Sequence, residues 1–366
     1  MKHVWMRAAL ILLLCAALLT GCSLPGAAPT VSESSSGPVD PLTGETTSRV
    51  GRRPAAVVID NAPDDTTQWG ISQASVMIEA LTVSGLPTSL CLAYSSVEDM
   101  PRVGPVAAGQ DLFWRLLAAQ QILPVQRGSG AYDRNYLDYY GLHAVDAREV
   151  GRKAFSCAEE WSSAPLWYTS GAAVASVAGS LNISSELSMA GANALTAYTA
   201  EGEEIVAVPA FLPFQNGGRS AEPSASDAVT VQIQFSPQST TRFAYDAGSG
   251  VYQMLHADGT PQLDANNGQQ ASFDNVLILF SASSLRDDGS TLDYDLSMGG
   301  GVWLYGGQLW DITWRQGTDS TFAFYGQDGK PLSVQPGRSY LALLSSITGQ
   351  ELSVYDSEGK NLTMAG

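Results

Sequence analysis

Beyond about Asp227, apolar side chains recur at every second position: Val229-Val231-Ile233-Phe235, then Phe243-Tyr245, Val276-Ile278-Phe280, Val302-Leu304 and Leu341-Leu343. A period of two puts successive side chains on opposite sides of an extended chain, so these runs specify strands with one buried face and do not suit helices. Between the runs lie Asp246-Ala247-Gly248, Asp258-Gly259, Asp288-Gly289, Gly306-Gly307, Asp328-Gly329 and Asp356-Ser357-Glu358-Gly359. Each supplies the positive φ that tight hairpins need. Residues 227–366 are therefore expected to form a mostly antiparallel β domain, a small sheet or barrel.

Residues 53–215 follow another rule. The apolar run Ala55-Ala56-Val57-Val58-Ile59 stops at Asp60-Asn61, as a buried strand stops at a turn. A helix is expected from Ser72 to Thr82, with Ser72 as N-cap, a stripe of Ala74, Ile78 and Leu81, and Gly85 as its stop. Ser89 to Tyr94 reads as a second strand, 106–121 as helix and Ile122 to Gln126 as a third strand. Asp133 is expected to cap a helix through Tyr140, and Ser170 to Ser180 reads as another helix. The fold class is therefore α+β overall, with an N-terminal α/β domain of alternating strands and helices. No period of 20 to 50 residues marks a repeat architecture.

The first residues carry an address. Lys2 and Arg7 precede an unbroken apolar run, AALILLLCAALL, followed by Leu19-Thr20-Gly21-Cys22. Twelve residues of helix span only about 18 Å, short of a hydrocarbon core of about 30 Å. The segment 1–21 thus reads as a lipoprotein signal peptide with a lipobox, and Cys22 as the acylated first residue of the mature chain. Residues 22–52, rich in Ser, Pro, Gly and Thr, read as a flexible tether, too poor in large apolar groups to offset ordering entropy. The expected location is the extracytoplasmic face of the cell membrane, with the membrane itself as a partner through the N-terminal lipid.

Charge narrows the classes further. With 45% hydrophobic residues the chain can build a core, and a formal charge of -17 excludes a nonspecific nucleic-acid binder. It also repels anionic lipid, so the folded body is expected to stand off the membrane.

Several ordered fragments resemble the YerB-like family of bacterial lipoproteins, whose defining domain has an N-terminal and a C-terminal part and no assigned activity. In the C-terminal half they are Phe243-Ala244-Tyr245-Asp246 with Gly250-Val251-Tyr252, Gly259-Thr260-Pro261, Asn275 to Ile278, Asp293-Tyr294-Asp295 with Gly299 to Gly301, Thr313-Trp314-Arg315, and Tyr325 to Tyr340 with its Pro336-Gly337. In the N-terminal half they are Arg53-Pro54, Val57 to Asn61, Gln68-Trp69-Gly70, Glu79 and Gly104-Pro105-Val106. Three places depart from the pattern. A family Arg-Ser-Ala-Arg stands here as Ala107 to Gln110, Ala-Pro-His-Asn as Ala164 to Trp167, and Pro-His-x-Asp as Pro261 to Asp264. The resemblance implies that any anion-binding or proton-shuttling role of those Arg and His residues is lost here.

The chemistry-bearing residues are few. His143, His256, Cys91 and Cys157 show no metal-ligand spacing, so no metal is expected, and a Cys91–Cys157 bridge stays open. Asp60 and Asn61, at the expected carboxyl end of the first strand, are ligand-binding candidates because open α/β sheets place ligands there. Glu79 and Asp111 are further acids of the same segment, and Ser129 sits in a Gly128-Ser129-Gly130 turn able to offer amides to an anion. The acids Asp287, Asp288, Asp293 and Asp295 suit a hairpin turn better than calcium, and Trp303, Trp310 and Trp314 suit core packing better than a sugar-stacking face. No catalytic residue and no cofactor is assigned. The expected function is a lipid-anchored binding or scaffold protein of the cell envelope, with a cell-wall or envelope-protein partner. The alternative is an envelope hydrolase acting on cell-wall glycan or peptide through N-domain carboxylates such as Asp60 with Glu79 or Asp111.

Overall fold

The computed structural model describes residues 38–61, 67–158, 165–199, 201–215, 222–317, 319–345 and 349–363. Cys22 and the leader lie outside the described residues. The centre of the molecule is a mixed sheet of 11 strands in the order Pro331–Leu332, Phe322–Tyr325, Gln308–Gln316, Met298–Tyr305, Asn275–Ser281, Ser339–Ser345, Val76–Ala80, Ser89–Tyr94, Ala55–Asp60, Leu123–Gln126, Val145–Asp146. The first six come from the C-terminal segment and the last five from the N-terminal one. They meet where Val76–Ala80 runs parallel to Ser339–Ser345, with Ile78 opposite Leu341 and Glu79 opposite Ala342.

Both strands at this seam are buried along their whole length, as strands covered on two faces must be. The segments 53–215 and 227–366, expected as separate bodies, thus share one sheet, and Gly37–Gly366 forms one compact unit. The fold is mostly β. Strict strand–helix alternation fails at the start of the chain, because Ala55–Asp60, Val76–Ala80 and Ser89–Tyr94 follow one another without an α-helix and pair antiparallel through Ser89–Tyr94.

The helix expected over Ser72 to Thr82 is therefore corrected to a strand. Ala74, Ile78 and Leu81 satisfy a helical stripe, but Val76-Met77-Ile78 gains more by burial on both faces between two strands, one of which arrives from the far end of the chain. Ser72 caps no helix there: its hydroxyl and amide both donate to Asp264, at 2.7 and 3.0 Å. Helices do form at Asp111–Leu116, Ala131–Tyr140 and Gly171–Ala178, the last capped by Ser170, whose hydroxyl accepts from Ala173 N. Asp133 is not the cap of its helix. Gly130 takes that position and the Asp133 carboxyl is buried inside the first turn.

Of the segment 22–52 expected as a flexible tether, the residues from Pro38 onward are packed into the fold. Leu42 is fully buried, Asp40 Oδ1 accepts from Leu42 N and Thr43 N, and Gly337 N donates to Thr43 O.

A second, antiparallel sheet of five strands, in the order Ser272–Phe273, Val251–Leu255, Ser239–Asp246, Thr230–Ser236, Glu351–Tyr355, packs onto this seam. Its alternation turns Val231, Ile233, Phe243, Tyr252 and Met254 inward, and the rings of Phe243 and Phe273 lie 4.7 and 5.7 Å from that of Tyr340.

Candidate functional site

The apolar strand Ala55–Asp60 carries its first polar side chains at its carboxyl end, Asp60 and Asn61, beside the start of Ser89–Tyr94. Around this point two arrangements sit back to back: a buried polar cluster and an open cleft.

Glu79 is at the centre of the cluster, on the strand Val76–Ala80 and without solvent exposure. Four side chains donate to its carboxylate: Tyr340 OH at 2.6 Å, Thr88 Oγ1 at 2.7 Å, Thr241 Oγ1 at 2.9 Å and Asn61 Nδ2 at 3.0 Å. Burial pushes the Glu79 pKa upward, and these hydrogen bonds, that of Tyr340 foremost, offset part of the rise. Asn61 also donates to Thr88 Oγ1 and accepts from Gln68 Nε2, whose own oxygen accepts from Gln262 Nε2 at 2.6 Å. Donors from both halves of the chain converge on one carboxylate, so the cluster locks the seam and fixes the Asn61 amide.

The cleft, of about 350 Å³, opens on the other side of Asp60 and Asn61. Leu86, Pro87, Ala107 and Leu166 give it an apolar wall, and Gln110 lies at its margin. Among the described residues lining it, Asp60 is the only ionisable group. No hydrogen bond or ion pair within the described residues engages its carboxylate. Partial desolvation raises its pKa, and the Arg127 charge nearby pulls in the opposite direction.

The five candidates therefore divide. Asp60, Asn61 and Glu79 come together, whereas Asp111 and Ser129 do not join them. Asp111 is held by Arg286 through two hydrogen bonds of 3.0 and 2.7 Å, and Arg286 reaches on to Asp293 at 3.0 Å. Ser129 Oγ accepts from Gln126 Nε2 at 2.5 Å and pairs with the buried carboxyl of Asp133; the only nearby histidine in sequence, His143, is exposed. The Asp288 carboxylate caps its own turn through Ser290 N and Thr291 N. Trp303, Trp310 and Trp314 are buried, the first two stacked at 4.4 Å, and Cys91 and Cys157 are both free thiols.

Tyr340, Thr241, Thr88 and Gln68 do not stand out as site residues in the sequence: Tyr340 and Thr241 reach Glu79 from more than 150 positions away, and the family fragments that hold Gln68 and Tyr340 assign them no role. The departures from the family pattern were the usable signal. Ala107, Ala108, Gln110 and Leu166 all line the cleft, and Gln262 is the outer link of the Gln68–Asn61–Glu79 chain. Neutral side chains at the positions of the family's Arg and His residues thus leave Asp60 without a charged neighbour among the described residues of the lining.

Comparison with known proteins places the chain. Residues 42–184 match the N-terminal domain, and residues 231–341 the C-terminal domain, of a protein family of unknown function, DUF3048. YerB of Bacillus subtilis (strain 168), provisionally named a lipoprotein, is 24% identical over 350 residues, covering 92% of this chain and 94% of its own length. The crystal structure of YerB from Bacillus subtilis superposes with a TM-score of 0.69 at 22% identity, covering 86% of this chain and 99% of that one, a likeness of fold. With both domains matched in order and the fold shared almost end to end, the chain belongs to the YerB-like family.

Proposed function

We propose that this protein is a lipid-anchored binding protein on the extracytoplasmic face of the cell membrane, and that the cleft at Asp60 is its ligand site. The anchor reading rests on Lys2, the apolar run and Leu19-Thr20-Gly21-Cys22, and is supported by the lipoprotein name of the Bacillus relative. No helix among the described residues is long and apolar enough to cross a membrane.

The observation that carries the binding reading is the state of the acids. Glycan hydrolysis needs two carboxyl groups facing one substrate, about 5 to 9.5 Å apart. Here Glu79 is sealed under four donors and Asp111 is bound by Arg286, which leaves Asp60 as the one carboxylate among the described residues that line the cleft. One free carboxylate among aliphatic walls suits recognition more than general acid–base work.

A thermal-shift screen of the mature chain carrying Cys22→Ser, against muropeptides, sugars and nucleotides, tests the site. A ligand at 100 times its Kd adds about 2.7 kcal/mol, and the shift is expected to vanish in Asp60→Ala. Stabilisation that survives Asp60→Ala would move the site elsewhere. Membrane fractionation tests the anchor: Cys22→Ala is expected to release the protein from the membrane fraction.

A further inference from the structure

The cleft at Asp60 has an unequal distribution of chemistry. Its wall is aliphatic, from Leu86, Pro87, Ala107 and Leu166. Of its polar groups, Asn61 is spent on Glu79, Thr88 and Gln68, and Thr82 and Ser89 bond each other at 3.2 Å. Two groups remain without a side-chain partner among the described residues, the Asp60 carboxylate and the Gln110 carboxamide, and both line the opening. Asp60 is exposed at the opening, and the apolar wall beside it removes part of its hydration, which no donor among the described residues replaces.

Among the described residues Arg127 is the cation acting on Asp60, and it stands outside the lining with its guanidinium 5.3 Å over the Trp167 ring. Its pull is weaker than the desolvation it opposes. The charge of the cleft is therefore left for a ligand to complete.

We propose, on the reading that this cleft is the ligand site, that it selects molecules carrying an ammonium group on an aliphatic body, such as the amino end of a side chain or peptide. The ammonium donates to Asp60 and to the Gln110 oxygen, while its methylenes cover Leu86 and Leu166. Carboxylates and phosphates are repelled by Asp60, which no cation among the described lining residues offsets. A neutral ligand of the same shape gains the wall but not the charge.

Three probes of one length separate these contributions: n-hexylammonium, n-hexanol and n-hexanoate, titrated by saturation-transfer NMR against the mature chain carrying Cys22→Ser. Hexylammonium is expected to bind about tenfold more tightly than hexanol, a difference typical of one charge-assisted contact, and hexanoate most weakly. Asp60→Asn, nearly isosteric at an exposed position, is expected to keep its melting temperature and bring hexylammonium down to the hexanol value. Leu86→Ala is expected to weaken hexylammonium and hexanol alike, which locates both in this cleft. Equal binding of hexylammonium and hexanol, preference for hexanoate, or hexylammonium affinity unchanged in Asp60→Asn each overturns the ammonium assignment while leaving a binding cleft in place. If no probe binds but a muropeptide stabilises the protein through Asp60, the ligand class is wrong and the site stands. If neither probes nor muropeptides, sugars or nucleotides bind, the binding reading itself falls.

Discussion

Tyr340 OH donates to Glu79 Oε2 at 2.6 Å, joining residues 261 positions apart on neighbouring parallel strands. The bond ties Ser339–Ser345 to Val76–Ala80, the last and second strands of the central sheet in chain order, and through Glu79 it reaches Asn61 at the edge of the cleft. Removing the hydroxyl leaves the ring in place against Phe243 and Phe273 and deletes only the donor. Tyr340→Phe is expected to cost about 1.5–3 kcal/mol, the range for a hydrogen bond to a charged group, as read by urea unfolding. A loss below about 0.5 kcal/mol would mean that the other three donors satisfy the carboxylate without it.

The same carboxylate makes stability depend on pH. Burial raises the Glu79 pKa above its ordinary value of 4.5, so the folded protein holds this proton where the unfolded chain releases it. The wild type is then expected to gain stability relative to Glu79→Gln as pH falls through the folded value. The gain is complete below the ordinary value and lost as pH rises. Asp60 and Asp133, also raised, are common to both proteins and cancel in the difference. Urea titrations of both at pH 8, 7, 6 and 5 check this, and a difference that is flat or grows toward high pH would contradict it.

A second link between the halves is ionic. Arg286 pairs with Asp111 and with Asp293, and Arg115 also reaches Asp293 at 2.7 Å. The Asp111 and Arg286 side chains are only 10% and 12% exposed, whereas Asp293 is 46% exposed. Arg286→Met leaves the buried Asp111 only the longer contact to Arg115 Nη1 at 3.8 Å and is expected to cost about 3 kcal/mol. Asp293→Asn is expected to cost under about 1 kcal/mol, because water screens that partner. Equal losses in chemical denaturation would show that the pairing with Asp111 is not the dominant one.

Gly109 permits the packing behind the cleft. A Cβ there would fall on Gln126 Oε1 and within 2.8 Å of Asp133 Oδ2, both on fully or nearly buried side chains. Gly109→Ala is expected to lower stability by about 1–3 kcal/mol through overpacking. Gly179→Ala, whose Cβ meets open space at a helical φ of -61°, is expected to be neutral or slightly stabilising. Differential scanning calorimetry of the pair separates crowding from a general intolerance of glycine replacement.

Local chemistry carried much of this through to the reader of the bare chain. Thr230–Ser236 alternates buried and half-buried positions along its whole length, because a sheet with one covered face imprints a period of two on its residues. Asp60 and Asn61 were legible as the polar end of an apolar run, and Ser170 to Ser180 as a helical stretch, since each depends on neighbours within a few residues. The proposed leader and Cys22 rest on an equally local pattern. Val76–Ala80 was not, because its helical stripe and its strand both satisfy the local pattern, and the choice rests on Ser339–Ser345 arriving beside it. The role of Glu79 was hidden likewise: a lone acid in an apolar run has meaning only once Tyr340 and Thr241 are brought to it. Sequence determines what short-range burial and capping can decide. The seam, the sealed carboxylate and the unpartnered Asp60 belong to tertiary structure, because their energies come from groups that only the folded chain makes neighbours.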